Sequence, residues 1–427
     1  MARAKKETAL TPEERLQAAL VPDWEWPYKL PENWCWVKLV ESFDNHTDSK
    51  KKIKQKDYLM KGKLAVVDQG QELIGGYTND VEKSYSGALP IVIFGDHTRC
   101  IKFVDFPFAQ GADGVKVLRP KPFYLPKAFY YALQSVNIPN LGYRRHFPLF
   151  NKFSIPLPPF AEQQRIVDRI ESLFAKLDEA KEKAQAVLDS FETRKAAILH
   201  KAFTGELSAK WREEHGVSID NWKTTRFDSV AAIRSNLVDP AEYQSFPHIA
   251  PDNIEKKTGV LLEYHTIAED GVTSGKHRFY SGQILYSKIR PYLSKAVVVD
   301  FDGLCSADMY PIEAYQNARC LWYYMLSDEF LLQASTAGSR SVLPKINQKE
   351  LSALTVHLPT NDREQEEIAR ILDELFDKEQ QTKEATEIVL DQIELMKKSI
   401  LARAFRGELG TNDPSEESAV ELLKQII

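Results

Sequence analysis

From residue 160 onward, apolar side chains recur at alternating steps of four and three. The run is Ile166, Ile170, Leu173, Leu177, Ala180, Ala184, Val187 and Phe191, then a break at Arg194, then Ile198. The same spacing returns at Ile368, Leu372 and Leu375, passes through polar Glu379, Thr382 and Thr386, and resumes at Val389, Ile393, Met396 and Ile400. A period of 3.5 residues sustained over about five heptads predicts the seam of a coiled coil, narrower than the apolar face of a globular helix. The polar stretch predicts a weaker contact there, or a place where water or a partner intervenes. The two runs belong to one duplication: Glu162–Leu207 and Glu364–Leu409 align without a gap at an offset of 202 residues, with 20 of 46 positions identical. A long-period repeat of this kind implies two similar halves.

Each repeat follows a block of different sequence. In the first block, short β-type runs (Leu64–Asp68, Pro90–Phe94, Ile101–Val104, Val115–Leu118) are separated by glycines, and a helix is predicted over Pro126–Ser135. The second block has runs at Val260–Tyr264, Gln283–Tyr286, Ala296–Val299 and Met309–Ile312, then a helix over Ala318–Ala334. Prolines close both blocks, at Pro156, Pro158 and Pro159 and at Pro359. Ahead of the first block, Thr11-Pro12-Glu13-Glu14 predicts a capped helix reaching about Ala19. The predicted organisation is a leader (1–29), a first module (30–159), a first helix (160–214), a second module (215–359), a second helix (360–410) and a tail (411–427). Asp413-Pro414-Ser415-Glu416 is placed to cap a last small helix carrying Leu422, Leu423, Ile426 and Ile427, with no partner evident.

Both long helices are entered from a module at their N-terminal ends. Antiparallel pairing then places the modules at opposite ends, about a pseudo-two-fold axis; about 35 helical residues at 1.5 Å each give a separation of roughly 50 Å. The competing arrangement is two unpaired helices, each lying on its own module. The expected class is therefore α+β: two similar mixed modules separated by two long helices in an antiparallel coiled coil.

Composition narrows the class. Hydrophobic content of 43% and aromatic content of 11% suit a soluble globular chain, and no apolar run reaches transmembrane length. The four scattered cysteines (Cys35, Cys100, Cys305, Cys320) form no paired motif, so reduced thiols in the cytoplasm are expected. The net charge is −5, yet several loops in the blocks are purely basic. Lys50–Lys56 carries five lysines, Gly142–Ser154 carries Arg144, Arg145 and Lys152, and Lys276–Lys295 carries five cations, all without an acid. Basic loops in both blocks of an acidic chain point to a polyanion.

Catalytic patterns are missing. There is no GxGxxG, and Gly271–Lys276 is one residue short of a P-loop with His277 where Ser or Thr belongs. Pro158-Pro159-Phe160 lacks the preceding Asn or Asp of an amino-methyltransferase signature, and no histidines have metal-ligand spacing. Asp105 and Asp113-x-x-Lys116 make at best a forced nuclease pattern.

Several motifs together resemble the specificity subunits of Type I restriction–modification enzymes. They are Ile155–Gln163 (IPLPPFAEQ), Lys201–Arg212 (KAFTGELSAKWR), Ile400–Leu409 (ILARAFRGEL) and Leu30–Trp34 (LPENW). Val67–Tyr77, Ile93–Thr98 and Gly111–Val115 look like one class of target-recognition domain; Gly282–Leu293 with Gly303–Asp308 looks like another. The resemblance spans nearly the whole chain. It implies a non-catalytic reader of double-stranded DNA in which each target-recognition domain reads half of a split, asymmetric site. It implies docking of two methyltransferase subunits, which use S-adenosylmethionine to methylate adenine, while this chain holds no cofactor or metal. A motor-nuclease subunit can join the assembly, and no membrane is involved. On this reading lysines hold phosphates, while arginines and amides read base edges. The candidate DNA contacts are Lys50, Lys54, Gln69, Tyr77, Asn79, Tyr143, Arg144, Arg145 and His146 in the first module. In the second they are Lys276, Lys288, Arg290, Tyr292, Ser339, Arg340 and Lys345, with Lys288 and Arg290 placed on one face by strand alternation. A function of a different class, a coiled-coil adaptor with two protein- or glycan-binding modules, needs no such basic loops.

Overall fold

The computed structural model describes residues 11–337 and 344–426. The chain divides into two compact units, Met1–Lys183 with Val389–Ile427, and Ala184–Ile388. Both mix helices with small sheets, an α+β organisation.

In the first unit the leader helix Pro12–Ala19 starts where predicted: Thr11 accepts from the Glu14 N–H at 3.2 Å, and Glu14 accepts from the Thr11 N–H at 2.7 Å. Cys35–Lys38 pairs antiparallel with Ser154–Leu157, which joins the two ends of the module. Between them lie a four-stranded sheet (Phe43–Asn45, Val115–Pro120, Ile91–Gly95, Ile101–Val104) and a three-stranded sheet (Gly76–Thr78, Leu64–Val67, Phe108–Gln110). The helix Pro126–Ser135 has its predicted bounds. Its buried face, with Phe94, Phe150 and Ile155, joins Ile166 and Ile170 of the first long helix, Leu401 of the second and Phe405 just past its end in one core.

The second unit repeats the plan. Trp222–Arg226 pairs antiparallel with Thr355–Pro359 around a four-stranded and a five-stranded sheet. Two sequence expectations change here. Val260–Tyr264 forms only a single bridge, Leu261 to Ile254, and the strand is His265–Thr266. The helix expected over Ala318–Ala334 is two helices, Ala318–Met325 and Asp328–Ala337. Ser327 separates them, donating its hydroxyl to Tyr324 O at 2.6 Å while accepting from the Phe330 N–H at 3.4 Å.

The first long helix runs Phe160–Asp189 and continues as Phe191–Phe203; the second is unbroken from Asp362 to Ala404. The interruption is at Ser190, four residues before the polar position Arg194 in the apolar repeat. Within each unit the helix segments run antiparallel. In the first, Asp178 pairs with Lys397 and Lys181 with Glu394. In the second, Arg194 grips Glu379 with two nitrogens at 2.7–3.1 Å, and Lys383 lies 5.7 Å over the Phe191 ring. Glu379 is thus met by a cation from the other helix, while Thr382 and Thr386 turn their hydroxyls back to the Lys378 and Thr382 carbonyls of their own helix.

Burial along the seam is uneven. Ile166, Ile170, Ile368, Leu372 and Ile393 are buried, and Leu173, Leu177, Val187, Phe191, Ile198, Leu375 and Ile400 are half-buried. Val389 and Met396 are exposed, a correction to the sequence reading. The inward positions there are Leu390 and Lys397, one residue further on. Lys397 keeps its place by lying 5.3 Å over the Phe174 ring while pairing with Asp178.

One buried carboxylate begins each repeat, and both are fully buried. Glu162 accepts from the Trp34 indole N–H at 2.7 Å, from Asn412 Nδ2 at 2.9 Å and from the Thr411 hydroxyl at 3.1 Å. Glu364, 202 residues on, accepts from the Trp222 indole N–H at 2.9 Å, from Ser208 at 2.9 Å, from Arg212 at 2.8 Å and from Asn221 at 3.0 Å. Each carboxylate ties the tryptophan at the entry to a module's first strand, the start of a long helix and a connecting segment together. The tail supplies that segment in the first unit, and its helix Ala419–Ile426 buries Ala419 and Leu423 in the same core as Leu16 and Ala19 of the leader. That is the partner the sequence left unassigned. Among the described residues no helix is long and apolar enough to cross a membrane.

Candidate nucleic-acid interface

In the first unit the Lys50–Lys56 loop is a fixed element. Ile53 is buried, donates its N–H to Gln110 O at 2.9 Å and bridges to Gly111. Lys51 donates to Ser84 O at 3.2 Å, and Lys83 donates to Lys50 O at 2.8 Å, so two ammonium groups strap the loop down. Lys50, Lys52, Lys54 and Lys56 have no ion-pair partner among the described residues. They line a cleft of about 790 Å3 together with Gln69, Asp113 and Tyr143.

Gln69 is held in place. Its side-chain oxygen accepts from the His97 N–H at 3.2 Å, and its carbonyl accepts from Thr98 at 2.6 Å. Gly114 has φ +84°, and a Cβ there would come within 2.5 Å of the Gln69 oxygen, so the turn needs glycine. Tyr143 is 86% exposed and stacks on His97 with ring centroids 4.9 Å apart. Arg144 and Arg145 are exposed beside it. Tyr77 is half-buried in its strand, and exposed Asn79 accepts from the Lys63 N–H at 3.2 Å.

His146 does not reach the surface. It is fully buried, accepting at Nε2 from the Leu141 N–H (3.1 Å) and placing Nδ1 2.9 Å from Asp96 O. With Nε2 an acceptor, Nδ1 carries the proton and donates to that carbonyl. Its role is to pin the loop that carries Arg144 and Arg145.

The second unit departs further from expectation. Lys276 is buried and donates to the Ser274 carbonyl and hydroxyl at 3.0 and 2.7 Å. Burial pushes its ammonium below the usual lysine range, which fits a structural clasp and not a phosphate contact. Lys288 and Lys345 lie 3.9 and 3.2 Å from one carboxylate, Asp308, so that site carries one net positive charge. The strand ends at Ser287, and Arg290 sits at φ +49°, so Lys288 and Arg290 do not share a strand face. Arg290 and Tyr292 are exposed, Arg290 without an ion pair among the described residues. Ser339 and Arg340 lie outside the described residues.

Sequence reasoning missed Arg278, which packs against Tyr243, Phe246 and Tyr280 at 4.8–5.9 Å. A signal was present in the aromatics at 243, 246 and 280, but only the fold brings the first two to the strand Lys276–Phe279.

These two surfaces occur in a chain with recognisable relatives. Residues 31–188 and 219–390 match the family described as the Type I restriction modification DNA specificity domain. The Type I restriction enzyme EcoDI specificity subunit of Escherichia coli is 38% identical over 343 residues, covering 72% of this chain and 77% of that protein. Two solved structures share the fold at 18% identity, each covering 90% of this chain and 100% of the other. The HsdS subunit from Thermoanaerobacter tengcongensis has a TM-score of 0.54, and a chain from a structure on complex assembly and conformational transition of the type I R-M system has 0.63. The chain belongs to the Type I restriction–modification specificity subunits, the DNA-recognition and non-catalytic components of those systems.

Proposed function

We propose that this subunit reads a split, asymmetric site in duplex DNA, one half with each module, taken as 30–159 and 215–359. The first module applies Lys50, Lys52, Lys54 and Lys56 to phosphates and Gln69, Tyr143, Arg144 and Arg145 to the groove. The second applies Arg290 and Tyr292. The long helices (160–214 and 360–410) set the spacing and dock two methyltransferase subunits in the cytoplasm. Those partners bring S-adenosylmethionine and the adenine chemistry, and a motor-nuclease subunit can join them.

The observation that best supports this reading is the cleft in the first unit. It gathers four lysines without ion-pair partners among the described residues, a clamped amide and an exposed aromatic ring from loops far apart in sequence. Phosphate contacts fix register while the amide and arginines face base edges. Two substitutions test it. Arg144→Ala and Arg290→Ala each weaken cognate binding by about 1–3 kcal/mol, with a smaller loss on unrelated duplex. A gel-shift titration with the methyltransferase subunits present checks this. Cognate affinities unchanged in both variants would remove the proposed reading surfaces.

A further inference from the structure

Beside the basic loop of the first unit lies a second, smaller cavity of about 200 Å3, lined by His46, Asp48, Lys51, Lys83, Tyr85 and Gln110. Gln110 is only 4% exposed. Its oxygen accepts from the Asp48 N–H at 3.1 Å, but its Nε2 has no hydrogen-bond partner among the described residues. A buried amide N–H left unpaired costs about 1–3 kcal/mol, so the group needs an acceptor. The surroundings say what kind. Lys51 and Lys83 each give one ammonium proton to a backbone carbonyl and keep two more. Among the described residues the sole carboxylate in the lining is Asp48, one of whose oxygens already accepts from the Lys50 N–H at 2.8 Å. Tyr85 and His46 contact each other, hydroxyl to Nδ1, at 3.3 Å. Two ammonium groups against one carboxylate leave the cavity net positive, with donors in excess.

We infer that this cavity binds a phosphate group, and that the group is a backbone phosphate of the DNA lying across the Lys50–Lys56 loop. The inference rests on the DNA reading above, because the loop that gives Lys51 to this cavity also lines the larger cleft. Gln110 Nε2 and the free protons of Lys51 and Lys83 donate to the phosphate oxygens. Such a contact sets register without reading a base.

The test uses the chain assembled with its methyltransferase subunits, on a duplex carrying its site and on an unrelated duplex. Gln110→Met, which keeps the side chain's length and removes the amide, weakens both by about tenfold, the size of a hydrogen bond to a charged group. Lys83→Met, at a half-exposed position that folding tolerates better, lowers the salt exponent of binding by about one. Replacing single phosphates with neutral methylphosphonates then finds one position at which the Gln110→Met defect disappears. The inference is overturned if Gln110→Met binds as tightly as the parent while Lys54→Ala binds more weakly, an outcome that leaves the DNA reading intact. It is equally overturned if inorganic phosphate, at constant ionic strength, raises the melting temperature of the parent but not of Gln110→Met while their DNA affinities agree; the cavity then takes free phosphate. No duplex binding by the parent complex would instead contradict the proposed function itself.

Discussion

Replacing Glu364 with alanine lowers the stability of the chain by about 3–5 kcal/mol, the cost of removing one member of a buried, hydrogen-bonded ion pair. Arg212 is the other member. Its side chain is only 11% exposed, and it loses its carboxylate while Trp222, Ser208 and Asn221 lose their acceptor. Glu364→Gln separates charge from volume: it fills the site but leaves the Arg212 charge unpaired, and still destabilises measurably. Burial alone pushes the Glu364 carboxyl up, but the hydrogen bonds from Asn221, Arg212, Trp222 and Ser208 outweigh it and hold the group below the usual carboxylate range. A carboxyl depressed in the folded state binds its proton more readily when unfolded. Its contribution is therefore complete above the unfolded value near 4.5 and fades as the pH falls through the lower folded value. Denaturant unfolding of the parent and Glu364→Gln at pH 7 and at progressively lower pH checks both parts. The gap between the two proteins narrows in acid, and equal stabilities at pH 7 would show that the carboxylate holds nothing together.

Converting Lys50, Lys52, Lys54 and Lys56 together to alanine lowers the salt exponent of DNA binding by about 3–4. Near physiological salt, affinity falls on the order of a hundred- to a thousandfold. Cognate and unrelated duplexes lose about equally, because the role proposed for these side chains is to hold phosphates and not to read bases. Fold stability changes little, since the loop is anchored by Ile53, Lys51 and Lys83 and not by the four removed cations. Fluorescence anisotropy across a salt series reads both the slope and the affinity. An unchanged slope would mean that the cleft faces away from the duplex.

The long helices were legible because a paired helix buries one stripe, and that stripe repeats in the sequence with its period. The phase was harder. From Ile393 and Ile400 the seam extends either to Val389 and Met396 or to Leu390 and Lys397, and hydrophobicity alone selects the former. Packing selects the latter, because a lysine stem can cover Phe174 while its charge reaches Asp178. Short strands between glycines were found to within a residue or two where they were fully apolar, as at Ile91–Gly95. Val260–Tyr264 misled because an apolar, β-type run shows no sign that it lacks a partner strand. The basic runs did not show which of their side chains stay exposed and which are tied up inside the fold. Lys276 and Lys50 look alike in sequence; one is consumed by the Ser274 carbonyl and hydroxyl and the other has no ion-pair partner among the described residues. His146 stood beside two exposed arginines and proved to be their internal support. The fate of such side chains depends on backbone carbonyls that only the folded loops bring near.

The proposed geometry is tested most directly by mapping methylated adenines across the genome of a host expressing the subunit with its methyltransferase partners. The parent chain and a variant lacking one heptad from each long helix are compared. Seven residues shorten a helix by about 10 Å, close to three base pairs at 3.4 Å each. The account predicts an asymmetric two-part motif for the parent, and for the variant the same two half-sites separated by a gap about three base pairs shorter. One uninterrupted motif for the parent, or an unchanged gap in a variant that still methylates, would contradict it.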